Sequence, residues 1–262
     1  MEIFLHIVVL AFLLNFMNSA AGMGLGTSFA PLLFLMGYTP LQVVPVLVIN
    51  AAISGWIGGW FHHEFENVKF SLKKPLNKAS KVMLLISGIG SLAIICGVLI
   101  TYVAIDVPDI IIETYVAILV ILMGLIGLIG IKKRSGWKYR PKLLAIFGGL
   151  AGFNKGVGGG GYGPVVVLGE IFSGIYEKSA VGIVSLAEGI VSTVGAIAFF
   201  TITAAGVNVD LVLLPSAFTG TFFAAIVGPY AVRVLPNKIW KIIIPTYAFT
   251  IGIVFLAELF LF

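Results

Sequence analysis

Apolar runs recur along the whole chain, and two glycine-rich stretches cut across them. The runs cover 3–21, 28–36, 41–61, 82–104, 110–131, 143–153, 164–172, 179–205, 211–232 and 239–262. Those at 28–36, 143–153 and 164–172 are too short to cross a membrane alone. The others approach the ~20 residues that ~30 Å of hydrocarbon requires. They lack the strict two-residue alternation of a membrane barrel, so the pattern predicts helices. The interruptions are 18–31, Asn-Ser-Ala-Ala-Gly-Met-Gly-Leu-Gly-Thr-Ser-Phe-Ala-Pro, and 152–164, Gly-Phe-Asn-Lys-Gly-Val-Gly-Gly-Gly-Gly-Tyr-Gly-Pro. Glycine and proline weaken a helix, and backbone opened inside a membrane has to turn its N–H and C=O groups to protein, water or a ligand.

Composition makes the class firm. Sixty per cent of the residues are apolar and 10% are charged, with a mean hydropathy of +1.12, which no water-exposed surface accommodates. The expected fold is an all-α polytopic membrane protein. The net charge of +5 and pI near 9.3 do not indicate nucleic acid, because eleven of the sixteen Lys and Arg fall in two loops. Lys69, Lys73, Lys74, Lys78 and Lys81 crowd one; Lys132, Lys133, Arg134, Lys138, Arg140 and Lys142 crowd the other, so both loops are expected in the cytoplasm. Cys96 is the single cysteine, which rules out an intramolecular disulfide. The apolar start, ending in Ser-Ala-Ala, lacks the basic flank of a secretory signal and reads as a retained membrane segment.

Loop charges also imply how the halves are arranged. Asp106, Asp109 and Glu113 mark an outside loop, the connection holding Asp210 lacks basic residues, and Arg233, Lys238 and Lys241 bracket a cytoplasmic turn. The order of signs is thus opposite in the two halves. This predicts two inverted-topology repeats in one transporter domain, 1–262, with the N-terminus outside. Repeat one is 1–131, a cytoplasmic linker 132–142 follows, and repeat two is 143–262. Each repeat is a glycine-broken hairpin or pair of short helices followed by three long transmembrane helices. If the breaks do not reverse the chain, the alternative is eight helices in a 4+4 parallel arrangement. Internal matches accompany the charge order: Gly22-Met-Gly and Pro31 against Gly156-Val-Gly and Pro164, and Asn50 and Ser54 against Glu188 and Ser192.

Lys155 is the sharpest chemical signal, since an ionisable group at membrane depth is costly and needs a partner or water. One reading has it snorkel to an interface or pair with Glu188. The other makes Lys155, Asn154 and the open amides of Gly156, Gly158, Gly159, Gly160 and Gly161 an anion site, helped by the positive end of the helix after Pro164. Asn18, Ser19, Thr27 and Ser28 of the first break supply neutral hydrogen bonds to that anion, or simply allow close helix packing. Asn15, one turn before Asn18, would line the approach.

Glu188 shares a helix face with Ser185 and Ser192. It either holds Lys155 or carries a coupling proton, with Asn50 as its counterpart in the first half. The stretches 87–91 and 219–221 read as small-residue helix contacts. His62 and His63 complete no metal shell and are expected at the interface beside Trp56 and Trp60. The span 69–81 is either an amphipathic helix on anionic lipid or an ordinary loop. No cofactor is called for, and no nucleophile pair, metal quartet or phosphate-transfer motif suggests an enzyme.

The glycine motifs Ala21-Gly-Met-Gly-Leu-Gly and 152–164, with Ser185-Leu-Ala-Glu188 after the second, resemble the sulfite exporter TauE/SafE family over nearly the whole chain. The first motif departs from a denser glycine run at Leu25, Thr27 and Ser28. The resemblance implies a secondary transporter, in the plasma membrane of a prokaryote, that moves sulfite, sulfonates or related organosulfur anions by alternating access. Export, with proton coupling, is the expected mode. A passive anion channel or a carrier of another oxyanion is the alternative. The expected partners are a small anion, a coupling proton and membrane lipid.

Overall fold

The computed structural model describes residues 3–22, 24–129, 139–175, 177–234 and 237–261, and every regular element among them is helical. Of the expected basic linker, Lys132, Lys133, Arg134 and Lys138 lie outside the described residues, as do the side chains of Lys238 and Lys241.

The first half comprises α1 (Leu5–Ala21), a π-helical turn (Leu25–Phe29) leading into α2 (Ala30–Leu35), α3 (Pro40–Glu64), α4 (Lys78–Leu99) with a second π turn (Ile100–Ala104), and α5 (Asp109–Ile129). The second comprises α6 (Pro141–Gly158), α7 (Tyr162–Phe172), α8 (Glu177–Ala204), α9 (Leu214–Val234) and α10 (Asn237–Leu261). Four segments, Pro40–Glu64, Lys78–Ala104, Lys178–Ala204 and Leu214–Val234, are long and apolar enough to cross a membrane. The protein is therefore multi-pass.

Local chemistry sets several boundaries. Thr39 and Gln42 form a reciprocal capping box at the start of α3, with Pro40 in its first turn. The Asn77 side chain accepts the Ser80 N–H at 2.8 Å and so starts α4. That cap bears on the lysine-rich stretch, which is not a surface helix. Its first part is a loop pinned to the helix ends, the Phe70 amide donating to His63 Nδ1 and the Ser71 amide to Ser80 Oγ.

Glycines fix the packing. Gly152 lies where a Cβ would collide with Gly90, and Gly156 where it would collide with Ile94 and Gly97, so α6 runs alongside α4 in the same direction. Likewise Gly220 meets Val8 and Phe12 while Gly228 meets Phe16 and Ser19, laying α9 along α1. The helices α3 and α8 cross antiparallel, Gly55 on Gly189 and His62 on Gly182; α5 and α10 do the same, Gly124 on Phe249 and Gly252 on Ile121. With α4 against α8 and α3 against α9, every one of these pairings maps onto another, or onto itself, when the halves are exchanged. The chain reverses at the second break, where Phe147 of α6 faces Gly169 and Phe172 of α7.

At one end of the bundle the Asp210 carboxylate accepts from Gln42. At the other, Ser179 Oγ donates to the Asn67 carbonyl, and Lys178 Nζ to the Arg233 carbonyl. His62 corrects the interfacial expectation. It is fully buried, hydrogen-bonded through Nε2 to the Ser19 carbonyl at 3.0 Å and through Nδ1 to Asn67 at 3.1 Å, while Asn67 also donates to the Pro229 carbonyl.

Candidate functional site

The two glycine breaks cross each other at the centre of the bundle. A Cβ at Gly160 would overlap the Gly26 carbonyl, and one at Gly163 would overlap the Gly22 carbonyl. Both preceding helices end on a left-handed glycine: Gly22, φ 71°, donates to the Asn18 carbonyl at 2.7 Å, and Gly159, φ 73°, donates to the Lys155 carbonyl at 3.0 Å. Asn18 and Lys155 thus each accept, on the backbone carbonyl, the amide of a left-handed glycine cap.

The helix α6 also runs further than its glycines predict. Asn154, Lys155, Gly156 and Gly158 are all helical, so the amides of Gly156 and Gly158 serve the helix and are not open to a ligand. The tertiary reason is the close approach of α4, which turns Gly152 and Gly156 into contact surfaces instead of breaks. Gly160 and Gly161 lie between the helices, and no described backbone hydrogen bond engages their amides. With the first turn of α7 they are the donors left at this helix N-terminus. Across the crossing, the π turn presents the start of a second short helical segment, with Thr27 and Ser28 buried in it; Ser28 Oγ has no hydrogen-bond partner.

Lys155 is buried, 1% exposed, and its Nζ lies 2.7 Å from Glu188 Oε1, itself almost fully buried. The other carboxylate oxygen accepts from Asn18 Nδ2 at 3.3 Å. The last turn of α1, the last turn of α6 and the middle of α8 thus converge on one ion pair. The Glu188 contact is the only described hydrogen bond of the ammonium group, which carries three N–H donors.

Other expected site residues are placed elsewhere. The Asn154 side-chain oxygen Oδ1 accepts from the Tyr115 hydroxyl of α5, and the residue lines a crevice shared with Gly26, Val116, Gly160 and Gly161 that is too tight for a water molecule. Asn50 is buried on a separate network: it donates to the Val46 carbonyl at 2.8 Å and accepts from Thr221 Oγ1 at 2.9 Å, and the Thr221 carbonyl accepts from Asn15. Asn15 is therefore fixed in the packing and not on an approach path. Ser19 and Ser185 both lie over Gly58, at the α1–α3–α8 contact. Ser192 is buried with its hydroxyl unpartnered.

The family model for the sulfite exporter TauE/SafE matches residues 7–255. The chain belongs to that family. Neither the curated proteins nor the solved structures compared with the chain give a match. TauE/SafE proteins are membrane transporters of sulfur anions such as sulfite, and a buried lysine beside a helix N-terminus is chemistry suited to such a cargo. Sequence reasoning missed two buried polar side chains of α7. The Tyr162 hydroxyl and both oxygens of Glu170 are buried without hydrogen-bond partners. Glu170 was legible as a carboxylate within an apolar segment, the same signal that singled out Glu188.

Proposed function

We propose that this TauE/SafE protein is a secondary carrier of small sulfur oxyanions, sulfite or a simple sulfonate, working in the export direction at the cell membrane. The observation that carries the reading is the buried Lys155–Glu188 pair at the crossing of the two glycine breaks. In this scheme the arriving anion competes with Glu188 for Lys155. Its sulfo oxygens accept from the ammonium group and from the amides of Gly160 and Gly161, while Asn18 retains the displaced carboxylate. Thr27 and Ser28 face the anion from the other break. Glu188 is thus the lysine's resting counter-ion rather than the carrier of a coupling proton.

Alternating access is supported by the exchangeable packing of the halves. Pairs α1–α9 and α6–α4 run parallel, whereas α3–α8 and α5–α10 run antiparallel, as expected of repeats 1–131 and 143–262 inserted in opposite directions.

Thermal-shift titration of the purified full-length protein with sulfite, methanesulfonate and acetate tests the substrate class, because a ligand that binds the folded state raises apparent stability. Sulfite or methanesulfonate should stabilise the wild type, acetate should not, and Lys155→Ala should abolish the response. Equal stabilisation of wild type and Lys155→Ala would rule out the charge role. Flux in proteoliposomes that follows the anion's electrochemical gradient, with no coupled ion, would identify a channel instead.

A further inference from the structure

The proposed anion site lies between helix ends of opposite sign. Only Gly159, Gly160 and Gly161 separate the end of α6 from the start of α7. The N-terminus of α7 attracts an anion, whereas the C-terminus of α6, whose last carbonyls have no partner in regular helix, repels one by a similar amount. The crossing adds a further acceptor, the Gly26 carbonyl, set against Gly160. A sulfo group is held there only if the acceptors of α6 are already occupied.

Two tyrosines from neighbouring elements occupy them. Tyr102, buried in the π turn after α4, donates to the Val157 carbonyl in the last turn of α6 at 2.6 Å. Its ring packs on Phe199 of α8, the centroids 5.5 Å apart. Tyr115 of α5 donates to Asn154 Oδ1. Asn154 takes no part in the ion pair but stands beside Gly161, where a Cβ would come to 3.7 Å from Asn154 Cβ, and it lines the same crevice as Gly160 and Gly161. With Oδ1 engaged, the amide has Nδ2 left to offer, a donor with no described partner. The Gly159 amide covers a third acceptor, the Lys155 carbonyl, at 3.0 Å. The first break uses the same device, His62 Nε2 donating to the Ser19 carbonyl in the last turn of α1 at 3.0 Å.

We propose that Tyr102 and Tyr115 set the charge preference of the site: by occupying the acceptor oxygens of Val157 and Asn154 they leave N–H donors for the cargo and favour an anion over a neutral molecule of the same shape. Tyr115 is a positioning residue that acts through Asn154, whose Nδ2 joins the amides of Gly160 and Gly161 on the sulfo group. This rests on the transport reading above and adds to it the groups that decide charge selectivity.

Calorimetric titration of the full-length protein with methanesulfonate and with methanesulfonamide, a neutral molecule of nearly the same shape that carries N–H donors of its own, tests it. The wild type should prefer methanesulfonate. Tyr102→Phe and Tyr115→Phe, each removing one hydroxyl, should weaken methanesulfonate about 10-fold and leave methanesulfonamide unchanged or tighter, so the preference narrows. In an Asn154→Ala background Tyr115→Phe should have no further effect, because the two residues act as a unit. Tyr230→Phe, on an exposed face of α9, should keep the wild-type preference. A merely loosened fold weakens both ligands alike. A preference unchanged in either tyrosine variant, or full additivity of Tyr115→Phe and Asn154→Ala, overturns the inference and leaves the transport reading standing. If Tyr102→Phe does not fold, the Tyr115 and Asn154 variants decide alone. A wild type that binds neither sulfite nor methanesulfonate strikes down the transport reading, and the inference with it.

Discussion

Breaking the Lys155–Glu188 pair from one side should cost far more than removing it whole. At 2.7 Å two unit charges attract by about 6 kcal/mol at an effective dielectric of 20. Desolvating a lysine and a glutamate that are 1% and 4% exposed costs several kcal/mol per ion, so the intact pair is close to break-even. Lys155→Met strands a carboxylate whose remaining described contact is a 3.3 Å hydrogen bond from Asn18, and Glu188→Leu strands an ammonium group. Each single change should destabilise by about 3–5 kcal/mol, a fall in the thermal midpoint on the order of 10 °C. The double change Lys155→Met/Glu188→Leu should return to the wild-type midpoint or exceed it by the equivalent of about 1–4 kcal/mol. Thermal unfolding in one detergent at two salt concentrations reads this directly, and salt should matter little because the pair is buried. The double variant should meanwhile bind no sulfite. If its losses simply add, or if either single variant melts with the wild type, the reasoning about a break-even pair retained for binding fails.

The glycine crossing gives a second prediction. Gly160→Ala, whose new methyl would overlap the Gly26 carbonyl, should lower the yield of folded protein through overpacking of about 1–3 kcal/mol or more. Gly88→Ala on α4, where a Cβ meets nothing within 4 Å, should raise stability by up to about 1 kcal/mol; size-exclusion recovery after heating compares the two. Asn18→Ala removes a donor to the charged Glu188 carboxylate and should slow the return of the empty carrier about 10-fold, on the order of 1.5 kcal/mol, read as net efflux against exchange in proteoliposomes, with little change in sulfite affinity by calorimetric titration. His62→Ala leaves the Ser19 carbonyl and the Asn67 amide without their ring partner, a loss of about 2–4 kcal/mol from two buried contacts, and added zinc should not change its melting. With Cys96 replaced by alanine, cysteines at Lys73 and Asp106 should label from opposite sides of the membrane and those at Asp106 and Asp210 from the same side; any other combination contradicts the inverted arrangement.

Much of the helical frame was legible, because a run of apolar residues dictates a span with little help from its neighbours. The ten described helices fall on the ten apolar segments. Glycine was where the reading failed. The same residue opens a backbone at Gly159, with φ 73°, and packs a helix at Gly152 and Gly156. Only the position of α4, a long-range fact, distinguishes the two uses. That one ambiguity misplaced the end of α6 and counted the helical Gly156 and Gly158 among the open amides. The pairing of Lys155 with Glu188 was legible from cost alone, since each charge needed a partner at similar depth. The burial of His62 was not, because the groups that satisfy it, the Ser19 carbonyl and Asn67, are chosen by tertiary packing.

In the proposed inverted repeat the site is charged on one side only. Asn18 and Lys155 stand at matching positions before matching left-handed caps, and Asn50 stands where Glu188 does by the four-residue spacing to Ser54 and Ser192. A symmetric site would bury two lysines and two glutamates, doubling a desolvation cost that one pair barely offsets. Here the second half keeps the ions, and the first contributes Asn18, whose amide donates to the free oxygen of Glu188, while Asn50 sits on the separate network of Thr221 and Asn15. In the proposed cycle Asn18 holds the carboxylate in reach when the anion takes Lys155, so that the pair reforms once the cargo leaves. The neutral half thus acts as the return spring of the charged one, and its effect on transport should appear in the rate of resetting more than in the affinity of the site.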